Sequence, residues 1–397
     1  MKYNTWTLAL VGAGIVSLPA VTQAEESTNS VLTALSSTTI SGYVDTSIHW
    51  NPGSGTQNLP VYAPNGVSGT QKADGFNLDV IALTISKPPG EGEWSAGYNT
   101  TLLFGPDATG YNPAANGNGN SDFSLKDTYV DLRVPVGNGL DLKLGTFTEI
   151  LGYEVYETGN NPNYTRSYGY EIEPTAMTGL LGSYTFTPAV TATAGIANTW
   201  SAGINSRSDA QWFETYLGGL TLTLPESFGF LEGSTIFGGV INGYDAVVSQ
   251  GIKTSFYVGG TLKTPIKCLS LGLAYDYVAL GENTTIDSTG TPVLHDSGHQ
   301  SAVAGYLLWQ ITDKLSLNSR ADYLLQSEFL ATPGMPEAAL AITETLQYNL
   351  WANVISRLEF RWDHALNGGD AYGGTASNPT PDLRNTFLVA ANFIYKF

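Results

Sequence analysis

With 397 residues, the chain could hold two or three soluble domains or one large barrel. Its 35 acidic residues against 17 basic ones leave a formal net charge of −18, which argues against nucleic acid as a partner. Only 13% of residues are charged although mean hydropathy is near neutral, so apolar and small polar residues must interleave. The 22 tyrosines suit a membrane–water boundary, where one side of a ring is apolar and the other hydrogen-bonds. A secreted β-sandwich shares much of this composition, so the decision falls to the residue pattern.

Residues 1–24 read as a cleaved signal peptide. Lys2 supplies the positive start, Leu8 to Leu18 the apolar run, and Thr22-Gln23-Ala24 a small-residue cleavage site before Glu25. The run is too short to span a bilayer comfortably. Losing Lys2 and no acid takes the net charge from −18 to −19. Residues 25–38 read as a short polar periplasmic segment, and residues 39–397 as one outer-membrane barrel.

From Thr39 the apolar period is two. Ile40, Gly42, Val44, Thr46, Ile48 and Trp50 share one face, and Tyr43, Asp45, Ser47 and His49 share the other. Leu269, Leu271, Leu273 and Tyr275 likewise oppose Ser270, Gly272, Ala274 and Asp276. Faces this different need two solvents. The runs predict strands at 39–50, 76–87, 93–104, 123–134, 139–149, 177–187, 189–200 and 211–224. They continue at 233–243, 253–264, 269–280, 300–311, 313–326, 339–349, 351–363 and 386–397. The second and eighth break parity, as bulges such as one at Gly218-Gly219 would make them.

Short links recur at Pro88–Gly92, Val136–Asn138, Pro188, Pro265–Lys267, Thr312 and Leu350. Between them fall long ones, at Asn51–Gly75, Gly105–Asp122, Ile150–Ala176, Gly281–His299 and His364–Asn385. The fold class is therefore all-β: a transmembrane antiparallel β-barrel of about sixteen strands, with short periplasmic turns and long external loops. Runs of roughly eleven residues match tilted membrane strands rather than the five or six of soluble sheets. The chain ends on a stripe that includes Phe393, Tyr395 and Phe397. That ending resembles the signal read by the barrel-assembly machinery, and it places a terminal ring at the periplasmic boundary.

Two stretches carry a family resemblance. Gly42-Tyr43-Val44-Asp45 lies in the first strand, and Gly152-Tyr153-Glu154, Asn163-Tyr164-Thr165-Arg166-Ser167 and the Pro174 to Gly179 return follow the fifth. Together these resemble the β-barrel porin family described as OmpL-like, among outer-membrane proteins of Gram-negative-type bacteria. Members more often carry His at the position of Met177, so that position has no role here. The resemblance implies an outer-membrane pore. By analogy with general porins, it also implies that the third external loop, Ile150–Ala176, folds into the lumen as a constriction.

That loop carries Glu154, Glu157, Glu171 and Glu173 against Arg166. Parity puts Arg133, Lys143, Arg320, Arg357 and Arg361 on lumen faces, with Asp131, Asp141, Asp322, Glu359 and Asp363. Loop carboxylates facing wall arginines would set a transverse field and an ion preference. Ordinary lumen ion pairs are the plainer reading, and both can hold. The acidic balance points to mild cation preference. Glu344 falls on the lipid parity of Leu340, Ile342, Leu346 and Tyr348, as an interfacial carboxylate, a subunit contact or a parity break.

Nothing in the sequence resembles a catalytic centre or calls for a cofactor. Cys268 stands alone in a turn, and His295 and His299 have metal-ligand spacing only on a helix, which their Gly/Ser/Asp surroundings disfavour. Asn116 to Asp122 lacks the acidic spacing of a calcium loop. The leading expectation is passive diffusion of small hydrophilic solutes through the lumen. Two alternatives are a non-conducting barrel that displays loops for adhesion or recognition, and an outer-membrane hydrolase. Expected partners are outer-membrane lipid, the assembly machinery and the solutes, and a homotrimer is admitted only by analogy with sixteen-stranded porins.

Overall fold

A computed structural model of the chain describes residues 37–53, 58–60, 74–108, 122–201, 204–205, 207, 215–245, 251–286, 292–295, 297–327, 335–367, 369–375 and 377–397. The expected signal peptide and most of the polar lead lie outside these residues, as does the Asn116 to Ser121 stretch.

The strands are β1 (Thr39–Trp50), β2 (Gly75–Lys87), β3 (Ser95–Phe104), β4 (Phe123–Val134), β5 (Leu140–Thr148) and β6 (Ala176–Thr187). Then come β7 (Val190–Ala197), β8 (Thr215–Thr223), β9 (Thr235–Tyr244), β10 (Ile252–Lys263), β11 (Leu269–Leu280), β12 (Asn283–Ile286) and β13 (Pro292–His295). The last are β14 (Gly298–Gln310), β15 (Leu315–Gln326), β16 (Ala338–Trp351), β17 (Val354–Ala365) and β18 (Asn385–Lys396). One short helix, α1 (Tyr168–Ile172), interrupts the β5–β6 connection. All strands except β12 and β13 form one closed barrel of sixteen, each pairing antiparallel with its neighbours. No described helix is long and apolar enough to cross a membrane.

Closure follows from the first and last strands. β1 pairs with β18 from Tyr43 opposite Lys396 to Trp50 opposite Val389, which leaves no free edge in hydrocarbon. The alternation of β1 is realised: Ile40, Ile48 and Trp50 are exposed, while Tyr43, Asp45, Ser47 and His49 are buried inward. Exposed rings gather at both rims. Trp50, Phe76, Phe104, Phe123 and Tyr216 lie toward the long links, and Trp309, Trp351, Tyr395 and Phe397 toward the tight turns.

Where the structure departs from the sequence pattern, the reason is local. β2 pairs with β1 across a shift in which Asp45 faces Val80 and Thr46 faces Leu78, so Asp79 is the extra residue of a bulge. β8 has no such bulge: it pairs in unbroken register through Gly218 and Gly219. Its parity looked broken because Leu217 points inward, where it joins an apolar cluster with Phe237, Ile241 and Met177. The link at Leu350 is also displaced. β16 runs on through Trp351, and the turn forms at Ala352-Asn353, with Asn353 at φ 65°. The long connection after β11 holds the β12–β13 hairpin, whose four-residue arms are too short to read as spanning strands.

Candidate functional site

The site is built by the connection from β5 to β6, residues 149–175, here loop 3. It turns into the barrel because its apolar residues find partners there. Ile150, Leu151, Tyr168 and Ile172 are buried with Trp200, Phe237, Tyr257 and Tyr306 from the inner wall. Tyr153 stacks on Tyr306 with centroids 4.1 Å apart, and its hydroxyl lies 2.9 Å from Thr261 Oγ1 on β10. Ser167 caps α1 by accepting from the Tyr170 amide.

Beyond the apolar part, the loop backbone is held by charged side chains of β15–β17. Arg320 donates to Glu154 Oε1 at 2.9 Å, to the Thr165 carbonyl at 2.7 Å and to the Arg166 carbonyl at 3.0 Å. Arg357 donates to the carbonyls of Thr158 and Asn161, at 2.8 and 2.7 Å. Arg361 donates to the Arg166 carbonyl at 2.6 Å and pairs with Asp363 at 2.7 Å. Glu359 accepts from the amides of Tyr164 and Thr165, at 2.6 and 2.9 Å. Farther along the same side of the barrel, on β1 and β2, the Tyr164 hydroxyl reaches Ser47, His49 and Asp79, with His49 Nε2 at 2.9 Å. Glu157 pairs with Lys126 on β4 at 2.9 Å. Arg166 ties the loop to itself by donating to the carbonyls of Tyr156 and Tyr164.

The structure thus brings Glu154, Glu157, Arg166, Arg320, Arg357, Glu359, Arg361 and Asp363 together around the loop. Their arrangement differs from loop acids facing wall arginines across an open gap. The wall arginines lie under the loop, saturated by its carbonyls and by acids of their own strands, so Arg320, Arg357 and Arg361 are buried. Arg133 and Lys143 are apart from this set. Arg133 pairs with Asp141 at 3.3 Å toward the tight-turn rim, half-exposed, and Lys143 stands over the Tyr129 ring. Glu344 is exposed on the outer face and accepts from Ser319 Oγ at 2.6 Å.

Glu171 and Glu173 sit at the return of the loop. Burial pushes the Glu171 carboxyl up to about 8, against the pull of Arg361 and Arg166. Burial, and then the acidic neighbours Asp276 and Glu149, push Glu173 well above the usual carboxylate range. Glu149, Asp276, Tyr306 and Lys126 escaped the sequence reading. Lys126 was hidden by a register shift opposite Thr100 to Leu102, which puts it inward on the other parity from Asp131 and Arg133. Asp276 did lie on an inward parity, but nothing in sequence tied it to the loop.

Glu359 gives a direct measure of how the loop is seated. Replacing it by Ala leaves two buried loop amides without acceptors, at about 1–3 kcal/mol each. Amide exchange at Tyr164 and Thr165 is expected to speed up at least tenfold, and unchanged exchange would show that other bonds hold this segment.

Solved outer-membrane proteins share this architecture. The channel DcaP of Acinetobacter baumannii is 11% identical, with a TM-score of 0.59 over 91% of this chain and 97% of its own. An anion-selective porin from Comamonas acidovorans is 12% identical, with a TM-score of 0.56 over 91% and 99%. OmpT of Vibrio cholerae, in a trimer form, is 11% identical with a TM-score of 0.53 over 91% and 99%. At such identities the likeness is one of fold. No curated protein matches the chain. The family described as "Putative beta-barrel porin-2, OmpL-like" matches residues 37–397, which take in every strand of the barrel, so the chain belongs to that family and is a porin-like β-barrel of the outer membrane.

Proposed function

We propose that the protein lets small hydrophilic solutes diffuse through its lumen, with loop 3 (about 150–176) narrowing the passage and no chemical step involved. The observation that carries this reading is the unequal burial of the inner wall. Inward residues of β15–β18 and β1, such as Arg361, Asp363, Asn392 and Asp45, are sealed beneath the loop. Asn99, Asp131, Lys143 and Ser183, inward on β3–β6, stay partly open. A passage along that polar wall suits water and small solutes better than apolar ones. Outer-membrane lipid faces the exposed belt, Phe393, Tyr395 and Phe397 present the assembly machinery with an aromatic ending, and a homotrimer belongs to the same reading.

The open wall carries Asp131 and Asp141 against Arg133 and Lys143, so selectivity falls to the acidic remainder of the molecule. In a planar bilayer under a tenfold KCl gradient, the reversal potential is expected to show mild cation preference. Clear anion preference would refute that charge assignment. A second reading, a non-conducting barrel that displays its loops, is favoured by the bonds loop 3 sends to widely separated strands, β4 at Lys126, β10 at Thr261 and β15 at Arg320. Single-channel conductance with a measured exclusion size separates the two.

A further inference from the structure

Both roots of loop 3 carry a buried acid, and both acids face the same strand. Glu149 follows β5, Glu173 precedes β6, and Asp276 projects from β11 between them; all three are buried. Glu173 and Asp276 are hydrogen-bonded side chain to side chain, which two carboxyls can do only if one of them holds a proton. The contact is tight. A Cβ at Gly152 would strike the Glu173 carboxyl, and one at Gly169 would strike that of Asp276, so both acids press on the loop backbone. Oε2 of Glu149 and Oε2 of Glu173 are buried without a hydrogen-bond partner among the described residues.

The surroundings do not neutralise this cluster. Asp276, Glu149 and Glu154 are the charged groups felt most strongly by Glu173, and the Tyr257 hydroxyl of β10 faces the same acids. Lys126 of β4 faces Glu149, but it already pairs with Asp127 and Glu157. Arg320 of β15 is taken by Glu154 and Asp322. Arg361 and Arg166 face Glu171, two residues before Glu173 on α1.

We propose that Glu173, Asp276 and Glu149 form a proton-held latch that keeps loop 3 seated in the lumen at low pH and lets it loosen as the pH rises. This rests on the channel reading for its consequence, a gate on solute flow. Loss of the shared proton to water breaks the O–H···O bond between Glu173 and Asp276 and leaves two carboxylates opposed in a buried space. Burial raises Glu149 and Glu173 in the seated loop, so the seated form is fully favoured below the ordinary carboxylate value. That advantage is lost as pH climbs through the raised values. Each unit by which a group is raised changes the ratio of seated to released loop about tenfold.

The test is amide exchange of loop 3 in the full-length, detergent-folded protein between pH 5 and pH 9, corrected for intrinsic rates, alongside bilayer conductance. Protection of loop amides is expected to fall at least tenfold across that range in the wild type. In Glu173→Gln/Asp276→Asn most of that fall should disappear, because two amides keep a hydrogen bond at every pH, and the remainder belongs to Glu149 and Glu171. Asp276→Asn alone serves if the double variant does not fold. Flat protection in the wild type overturns the latch, and so does a fall that persists undiminished in the variants. Absence of current at every pH removes the channel reading instead, and leaves exchange to decide the latch.

Discussion

Replacing Arg320 by methionine is expected to unseat loop 3 and raise single-channel conductance. This one side chain holds the loop at several points at once. The guanidinium is completely buried and bonds Glu154, Asp322, Thr343 and the Thr165 and Arg166 carbonyls. Methionine fills much of the volume but strands Glu154 and Asp322 in a dry site. Breaking a buried pair from one side costs about 3–5 kcal/mol, because the remaining charge is uncompensated. At about 1.4 kcal/mol per factor of ten, the ratio of seated to released loop falls a hundredfold or more. The Glu154→Gln/Arg320→Met pair should recover part of this, since it removes one stranded charge. Arg320→Lys should recover less than its charge suggests, because an ammonium cannot span two carbonyls and a carboxylate as a planar fork does. Conductance and loop exchange both unchanged in Arg320→Met would mean that the loop does not depend on this anchor.

The barrel was legible in the sequence because lipid and water impose opposite demands on alternate side chains. Each predicted spanning run meets a strand, and the errors fall where that rule is interrupted. Leu217 faces inward because the lumen near loop 3 is not water but an apolar packing surface. Lys126 changed sides at a bulge that leaves no mark in residue type. β12 and β13 belong to a connection, where no second solvent enforces a pattern. The parity of β15 and β17 did place Arg320, Arg357 and Arg361 inward. What parity could not supply is their partners, because loop carbonyls are present at every residue and carry no signature. The expected transverse field rested on charge signs alone, whereas here the arginines serve backbone. Glu173 and Asp276 are about a hundred positions apart, and only the return path of the loop brings them together.

Gly42→Val is expected to prevent barrel closure, whereas Gly305→Val should be nearly silent. Both glycines lie within spanning strands, so β-propensity alone favours valine at each. The difference is space. A Cβ at Gly42 would overlap the Ala82 carbonyl on β2 and come within 2.8 Å of the Phe397 ring, while at Gly305 it meets nothing within 4 Å. Gly42 also exchanges both backbone bonds with Phe397, each at 2.9 Å, at the point where the last residue joins the first strand. A branched side chain there pushes apart β1 and β2 and lifts the terminal ring from the seam together. Backbone groups freed in this way face hydrocarbon, where each costs several kcal/mol, so a partly open seam is not a tolerable compromise. The check is the compact, heat-modifiable band of the folded barrel on unboiled gels. It should be lost in Gly42→Val and kept in Gly305→Val. Equal yields of folded barrel from both variants would show that the seam tolerates a side chain at Gly42 and that closure is secured elsewhere along β1 and β18.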